Sequence, residues 1–167
     1  MKGSITIEPL GSSHDRTAFT CGVSALDRYL REFATQDAKR RISNCFVAVA
    51  PNGAIAGYYT FSAASFPIGE LSAAEAKRLP RYPVLPAGLI GRLAVDTRFR
   101  GRGLGGALVM DAVLRATRAD PAIFAIVVDA KDETAAEFYL RLGFRRFPSR
   151  STSLFVPVSV AVQALEA

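Results

Sequence analysis

Between positions 95 and 106 the chain reads Val-Asp-Thr-Arg-Phe-Arg-Gly-Arg-Gly-Leu-Gly-Gly, an apolar strand joined to a helix start by Gly101, Gly103, Gly105 and Gly106. Glycine carries no Cβ to keep an anion from the backbone. The helix that follows adds unpaired N–H groups and the positive end of its dipole. This is a phosphate cradle, and with Arg100 and Arg102 interleaved its expected ligand carries a pyrophosphate. A glycine-rich turn that merely ends a strand is the plainer use of such a run, and the two arginines weigh against it.

Read literally, Gly101-x-Gly103-x-x-Gly106 matches a dinucleotide-binding fingerprint, with Asp129 as the acid expected roughly 20 residues further on. Two features oppose that reading. Residues 96–100 separate the strand from the first glycine, and the chain ends at 167, too soon for the further βα units of a doubly wound domain. A Walker loop is excluded because no Lys followed by Ser or Thr comes after the glycines.

The elements that must hold this loop follow from periodicity. An alternating first strand over 1–8 leads to an amphipathic helix over 24–40, opened by a capping-box-like Ser24 and carrying Leu26, Tyr29, Leu30, Phe33 and Ala34 inward. Residues 45–49 and 55–61 read as an antiparallel hairpin around Pro51-Asn52-Gly53. A short helix over 71–79 ends at Pro80, and the proline-rich stretch to Pro86 reads as a loop. The strand 88–95 enters the cradle and the helix 104–117 leaves it, with Asp111 and Arg115 at ion-pair spacing on a narrow polar stripe. Then come a buried strand over 123–128, a helix over 132–142 stopped by Gly143, strands over 144–147 and 152–156, and a terminal helix over 158–165. The fold class expected is α/β (α+β), built as one domain over 1–167.

Composition sets the outer bounds. A chain of 167 residues, 50% hydrophobic and 22% charged, is globular and large enough to bury a core without metal or disulfides. No apolar run is long enough to span a membrane and the start lacks a secretory signal, so a cytoplasmic protein is expected. Cys21 and Cys45 read as reduced, structural residues, and the single histidine, His14, excludes a multi-histidine zinc site. The net charge is +6, and arginine dominates it, since only Lys2, Lys39, Lys77 and Lys131 are lysines. Guanidinium groups bind phosphate through paired hydrogen bonds, so a polyanionic partner fits this surplus.

The loop also parses as Arg100-x-x-Gly103-x-Gly105, followed by Asp132-x-x-Ala135-x-x-Phe138-Tyr139-x-x-x-Gly143-Phe144. In this order and separation the two motifs resemble the GNAT superfamily of N-acetyltransferases. Within it the chain resembles the toxins of type II toxin–antitoxin systems that acetylate aminoacyl-tRNA. The likeness runs over nearly the whole chain, including His14-Asp15, Phe19-x-Cys21-Gly22, Gly57-Tyr58-Tyr59 and Arg92-Leu93-Ala94-Val95-Asp96. It implies a mixed, mostly antiparallel central sheet with helices on both faces and a splayed strand pair holding acetyl-CoA. Backbone near Leu93, Ala94 and Val95 would take the pantetheine arm, and an N–H close to Val95 would serve the oxyanion. Residues Arg100, Gly101, Arg102, Gly103, Leu104, Gly105 and Gly106 would take the pyrophosphate, with Asp132 and Phe138 as further coenzyme contacts. Asp132 departs from the Asn that many members carry there, and its type also suits the N-cap of the following helix. Tyr139 would be the general acid toward the departing thiolate.

The acceptor expected is an α-amine. An α-amino group titrates near ~8 and a lysine near ~10.4, and the strand 54–61 carries no carboxylate to act as base. Arg28, Arg31, Lys39, Arg40, Arg78, Arg81, Arg92, Arg145 and Arg146 form the pool of expected tRNA contacts. The resemblance further implies a homodimer and a small cognate antitoxin. Two other readings follow from the same residues: a GNAT enzyme acting on a protein or small-molecule amine, and an RNA-binding module without catalysis.

Overall fold

The structure is a computed structural model that describes residues 4–166. Its first half runs β1 (Thr6–Pro9), α1 (Ser24–Arg28), a π-helical turn (Tyr29–Phe33), α2 (Ala34–Lys39), β2 (Asn44–Val49), β3 (Ile55–Pro67), a 3-10 turn (Ile68–Glu70) and α3 (Ala73–Lys77). Its second half runs β4 (Val84–Val95), a 3-10 turn (Thr97–Phe99), α4 (Leu104–Arg118), β5 (Ala125–Asp129), α5 (Glu133–Arg141), β6 (Arg145–Phe147), β7 (Arg150–Pro157) and α6 (Val158–Glu166). The strands are ordered β1-β2-β3-β4-β5-β7-β6, antiparallel at β1/β2, β2/β3, β5/β7 and β6/β7. This is the mixed α/β, mostly antiparallel class expected from the sequence. Residues 1–3 of the first expected strand lie outside the described residues.

The chain divides into two compact units. One takes in the chain through Ser62 together with Ile90–Ala112, and the other takes in Ala63–Leu89 and the chain from Val113 onward.

In the first unit the expected hairpin pairs Asn44 with Phe61 and Cys45 with Thr60, and slips by a bulge between Ala48 and Val49. Phe19, Leu30, Ala34, Val47, Ile55, Tyr58 and Ala94 are buried together against it. The helix over 24–39 differs from its expectation at two points. Ser24 is its first residue and does not cap it; Val23 stands at the N-cap, while the buried Asp27 carboxylate accepts from the Cys21 amide at 2.8 Å. Mid-helix, the Ala34 N–H bonds back to the Tyr29 carbonyl, five residues away, and this wider turn moves Phe33 out of the stripe that a 3.6-residue period assigns it. Tyr29, Leu30 and Ala34 stay buried and Phe33 is exposed.

Gly57 on β3 has a steric reason. A Cβ there would sit 2.9 Å from the Ala94 carbonyl oxygen, 3.2 Å from Leu108 and 3.3 Å from Leu104. β3 thus lets the neighbouring strand end and the first turn of α4 lie directly over it. α4 buries Leu104, Leu108, Val109, Ala112, Val113 and Ala116, but Leu114 is exposed, so its wet face is wider than the polar stripe alone suggests. Asp111 on that helix accepts the Tyr59 hydroxyl at 2.6 Å.

In the second unit, Phe66, Phe147 and Phe155 form an aromatic nucleus with Leu71, Leu85, Ala125 and Val127. The Phe147 and Phe155 rings stack at 4.6 Å between centroids. β4 begins at Val84, inside the stretch expected to be loop: Leu85 and Ala87 alternate inward, and Pro86 accepts from the Phe124 amide at 2.9 Å, an arrangement that asks no N–H of the proline. β5 starts at Ala125, two residues later than expected. Asp129 sits opposite Ser153 and takes its hydroxyl at 2.6 Å, so this carboxylate is bound within the sheet. α3 opens with a full capping box between Ser72 and Glu75. No helix among the described residues is long and apolar enough to cross a membrane.

Replacing Gly57 with Ala should lower unfolding stability by about 1–3 kcal/mol in urea titrations, because the nearest obstacle is backbone. An unchanged midpoint would refute the close approach at Gly57.

Candidate active site

The cradle is anchored at Asp96, the residue that follows β4. Its side chain is fully buried and accepts from the Thr20 amide at 3.1 Å, the Arg98 amide at 2.9 Å, and Arg98 Nε and Nη2 at 2.9 and 3.1 Å. Burial pushes this carboxyl up, but the Arg98 guanidinium and the two amides outweigh it and hold Asp96 below the usual carboxylate range. The same group caps the Thr97–Phe99 turn, while the Asp96 amide donates to Ala56 O at 2.8 Å. Leu93 and Val95 just before it are half-buried and Ala94 is buried.

Past Arg100 the backbone takes left-handed conformations at Gly101 (φ 76) and Gly103 (φ 75). A Cβ at either position would meet nothing within 4 Å, so these glycines answer to backbone conformation and leave open space beside the loop. α4 then begins at Leu104, and helix geometry leaves the N–H groups of Leu104, Gly105 and Gly106 without an acceptor inside the helix. Its first turn carries no acid, and Arg102 is exposed beside it. Open space, left-handed glycines, free helix amides and a basic rim are what a pyrophosphate requires.

Arg100 is spent differently than its type suggests. Its guanidinium donates to the Cys21 carbonyl, over Gly22, whose left-handed φ of 87 and missing Cβ leave the room. The Thr97 amide donates to Thr20 O at 2.9 Å, so the 14–22 loop is bolted to the cradle at several points. Sequence reasoning missed Asp96 and Asp27 as the two buried acids of this arrangement. Their only sequence signal is that each stands isolated in a basic or apolar stretch. His14 is structural: its Nδ1 accepts from the Gly11 amide at 2.9 Å and its Nε2 lies 2.7 Å from Glu8.

α5 in the second unit carries the remaining expected residues. Asp132 is its N-cap and accepts from the Ala135 amide at 2.8 Å. Gly143, at φ 98, ends the helix. Tyr139 is 8% exposed, with its ring edge-on to Phe138 at 5.0 Å and Phe144 at 5.4 Å. Burial alone pushes its phenol up to about 12. The hydroxyl therefore keeps its proton throughout the neutral range.

Comparison with known proteins identifies the family. Residues 41–146 match the acetyltransferase (GNAT) domain family. A tRNA-acetylating toxin of Mycobacterium tuberculosis is 33% identical over 151 residues, covering 89% of each chain. The chain belongs to the GNAT acetyltransferases. Among solved structures, AtaT complexed with acetyl-methionyl-tRNAfMet superposes with a TM-score of 0.88 at 28% identity, covering 98% of this chain and all of that one. A tyrosine-to-phenylalanine mutant of AtaT, bound to the C-terminus of the antitoxin AtaR and acetyl-CoA, gives 0.81 at 25% identity, with 98% and 99% covered. The enzyme is thus an acyltransferase of a family that uses acetyl-CoA.

The basic pool of this acetyltransferase separates into two groups. Arg28 pairs with Glu32, Arg145 grips Glu75 through both terminal nitrogens at 3.1 and 2.7 Å, and Arg146 bonds Glu133 and Ser151 O. Arg92 lies half-buried, its guanidinium 3.6 Å from the centre of the Tyr29 ring. Arg31, Lys39, Arg40, Arg78 and Arg81 are exposed, with no ion pair among the described residues. Both cysteines are buried free thiols, and Cys45 is pushed up to about 12 mainly by burial.

Two outcomes follow. Asp96→Asn should cost about 1–3 kcal/mol in urea unfolding, because it presents an amide to donors that need an anion. Calorimetric titration of the variant should also show weaker acetyl-CoA binding; unchanged values in both would break the link between Asp96 and the cradle. Since Asp96 is held low, its stabilisation is present above the free carboxyl value of ~3.9 and lost as pH falls below it.

Proposed function

We propose that this acetyltransferase is the toxin of a type II toxin–antitoxin system, transferring an acetyl group from acetyl-CoA to the α-amino group of aminoacyl-tRNA and so blocking translation. The observation that carries this reading is the near full-length likeness to a relative named as a tRNA-acetylating toxin. The AtaT complex with an acetylated aminoacyl-tRNA supports it from the side of the product.

The residues divide the work. Amides of the 101–106 loop and the first turn of α4 hold the pyrophosphate, with Arg102 on its rim, and backbone at Leu93, Ala94 and Val95 holds the pantetheine arm and the carbonyl oxygen. Arg100 acts through the 14–22 loop as well as through charge, and Asp132 and Phe138 border the coenzyme from α5. When bound, acetyl-CoA supplies an acetyl group already activated as a thioester. Tyr139 presents its phenolic proton to the departing sulfur. A phenol at about 12 is a weaker acid than a thiol at ~8.5, so it acts first as a hydrogen-bond donor to the charge forming there. The α-amine enters partly neutral and loses its remaining proton to water, which matches the lack of a carboxylate on 54–61.

Arg31, Lys39, Arg40, Arg78 and Arg81 lead the tRNA contacts in this reading, and Arg28, Arg92, Arg145 and Arg146 serve the fold first. The whole chain acts as one catalytic domain, forms a homodimer, works in the cytoplasm where charged tRNA is found, and is silenced by a cognate antitoxin. The antitoxin-bound AtaT supports the last of these; the dimer rests on the family likeness.

Labelled acetyl transfer across separately charged tRNAs tests the reading: incorporation should require the charged form and disappear with deacylated tRNA. Transfer to protein or small-molecule amines at equal rate would overturn it. Tyr139→Phe should lower kcat by roughly 10²–10⁴-fold while acetyl-CoA affinity holds, and unaltered turnover would remove Tyr139 from the mechanism. For the wild type, kcat should show no alkaline loss up to about pH 10, since the phenol titrates above the ordinary tyrosine range.

A further inference from the structure

The segment between β3 and β4 encloses a groove of about 630 Å³, walled by Ile68, Ala76 and Leu79, with Lys77, Arg81 and Tyr82 also lining it. Tyr82 is 62% exposed, the most open large hydrophobic side chain of the described residues. It stands in Leu79-Pro80-Arg81-Tyr82-Pro83, where two prolines restrict the backbone, the Tyr82 amide donates to Pro80 O at 2.9 Å, and Pro83 O accepts from the Ile68 amide at 3.1 Å. An aromatic ring held out on a stiffened backbone has little chain entropy left to lose when something flat covers it.

The charge around the ring is of one sign. Lys77 and Arg81, the cations that line the groove, are exposed and have no ion pair among the described residues. The acids closest in sequence are engaged elsewhere. Glu75 is gripped by Arg145, whose hydrogen bonds bring it down to about 2, and Glu70 accepts the Ser149 hydroxyl. Unpaired cations flanking an exposed ring are the ingredients of a single-stranded nucleic-acid site: phosphates meet the cations and a base stacks on the ring. An acidic polypeptide would satisfy the charges but has no regular use for the open ring face.

We propose that this groove binds an unpaired stretch of RNA, with Tyr82 stacking one base and Lys77 and Arg81 holding the adjacent phosphates. The inference deepens the aminoacyl-tRNA reading and rests on it for the kind of nucleic acid. It adds to the substrate contacts a residue, Tyr82, that charge alone does not reveal.

The test titrates the full-length protein, by fluorescence anisotropy, into a labelled single-stranded oligoribonucleotide and the same strand in duplex form. Tyr82→Ala should weaken single-strand binding roughly tenfold while Tyr82→Phe preserves it, because stacking needs the ring and not the hydroxyl. Replacing Lys77 and Arg81 with Gln should flatten the salt dependence by about 0.7 per lost phosphate contact. Thermal melting should be unmoved by these exposed substitutions, which separates lost binding from lost folding.

Equal single-strand affinity for Tyr82→Ala and wild type would overturn the proposal. So would duplex binding as tight as single-strand binding, or a poly-glutamate peptide whose binding depends on Tyr82 when RNA binding does not. Acetyl transfer to charged tRNA, measured alongside, keeps the two readings apart. Wild-type transfer with indifference to Tyr82 defeats the groove alone, whereas absence of transfer defeats the enzymatic reading and leaves the oligonucleotide titration to decide the groove.

Discussion

A carboxylate that water does not reach, Asp96, governs how the glycine loop is presented. A buried charge is costly unless its lone pairs are filled, and here they are filled from two directions: the Thr20 amide on one side, the Arg98 amide and guanidinium on the other. Neither segment can leave without stranding that charge, so the 14–22 loop and the start of the cradle move as one piece. Arg100 reaching Cys21 O and Thr97 N–H reaching Thr20 O reinforce the same joint. Donors fixed before the ligand arrives need no reorganisation when charge has to be held, which is the form of electrostatic help that an acyl transfer uses best.

Gly57 extends this rigidity into the sheet. Its missing side chain lets Ala94, Leu104 and Leu108 close over β3, so the strand that ends at Asp96 and the helix whose amides face the loop share one packed base. Tyr139 depends on packing of another kind. Phe138 and Phe144 bracket its ring, and the resulting burial raises the phenol without any charged neighbour.

Several local features around the candidate site are legible in the sequence. The glycine spacing, Asp132 as a cap, Gly143 as a helix stop and Tyr139 on the inner face of α5 all depend on neighbours within a few residues, and local chemistry determines such features. Phe33, the width of the wet face of α4 and the start of β4 differ from the sequence pattern because the pattern is local. A regular period assumes a regular element, whereas the π turn at 29–33 adds a residue, α4 is covered on one side only, and Val84–Pro86 joins a strand through partners far along the chain. The arginines show the same limit, because whether a guanidinium meets phosphate or carboxylate depends on where the acids lie in space. Arg145 and Glu75 are far apart in sequence and joined in the fold.

By itself the sequence determined the family, the glycine-rich turn between β4 and α4, and the order of most strands and helices, since glycine torsions, helix periods and side-chain types act over short range. Tertiary structure alone decided which charges are spent inside the fold and which remain for a partner. Asp96 became a buried anchor, Arg100 a clasp on the 14–22 loop, and Arg81 a cation beside an exposed ring with no ion pair among the described residues, because electrostatic pairing and burial depend on distances that only the folded chain sets.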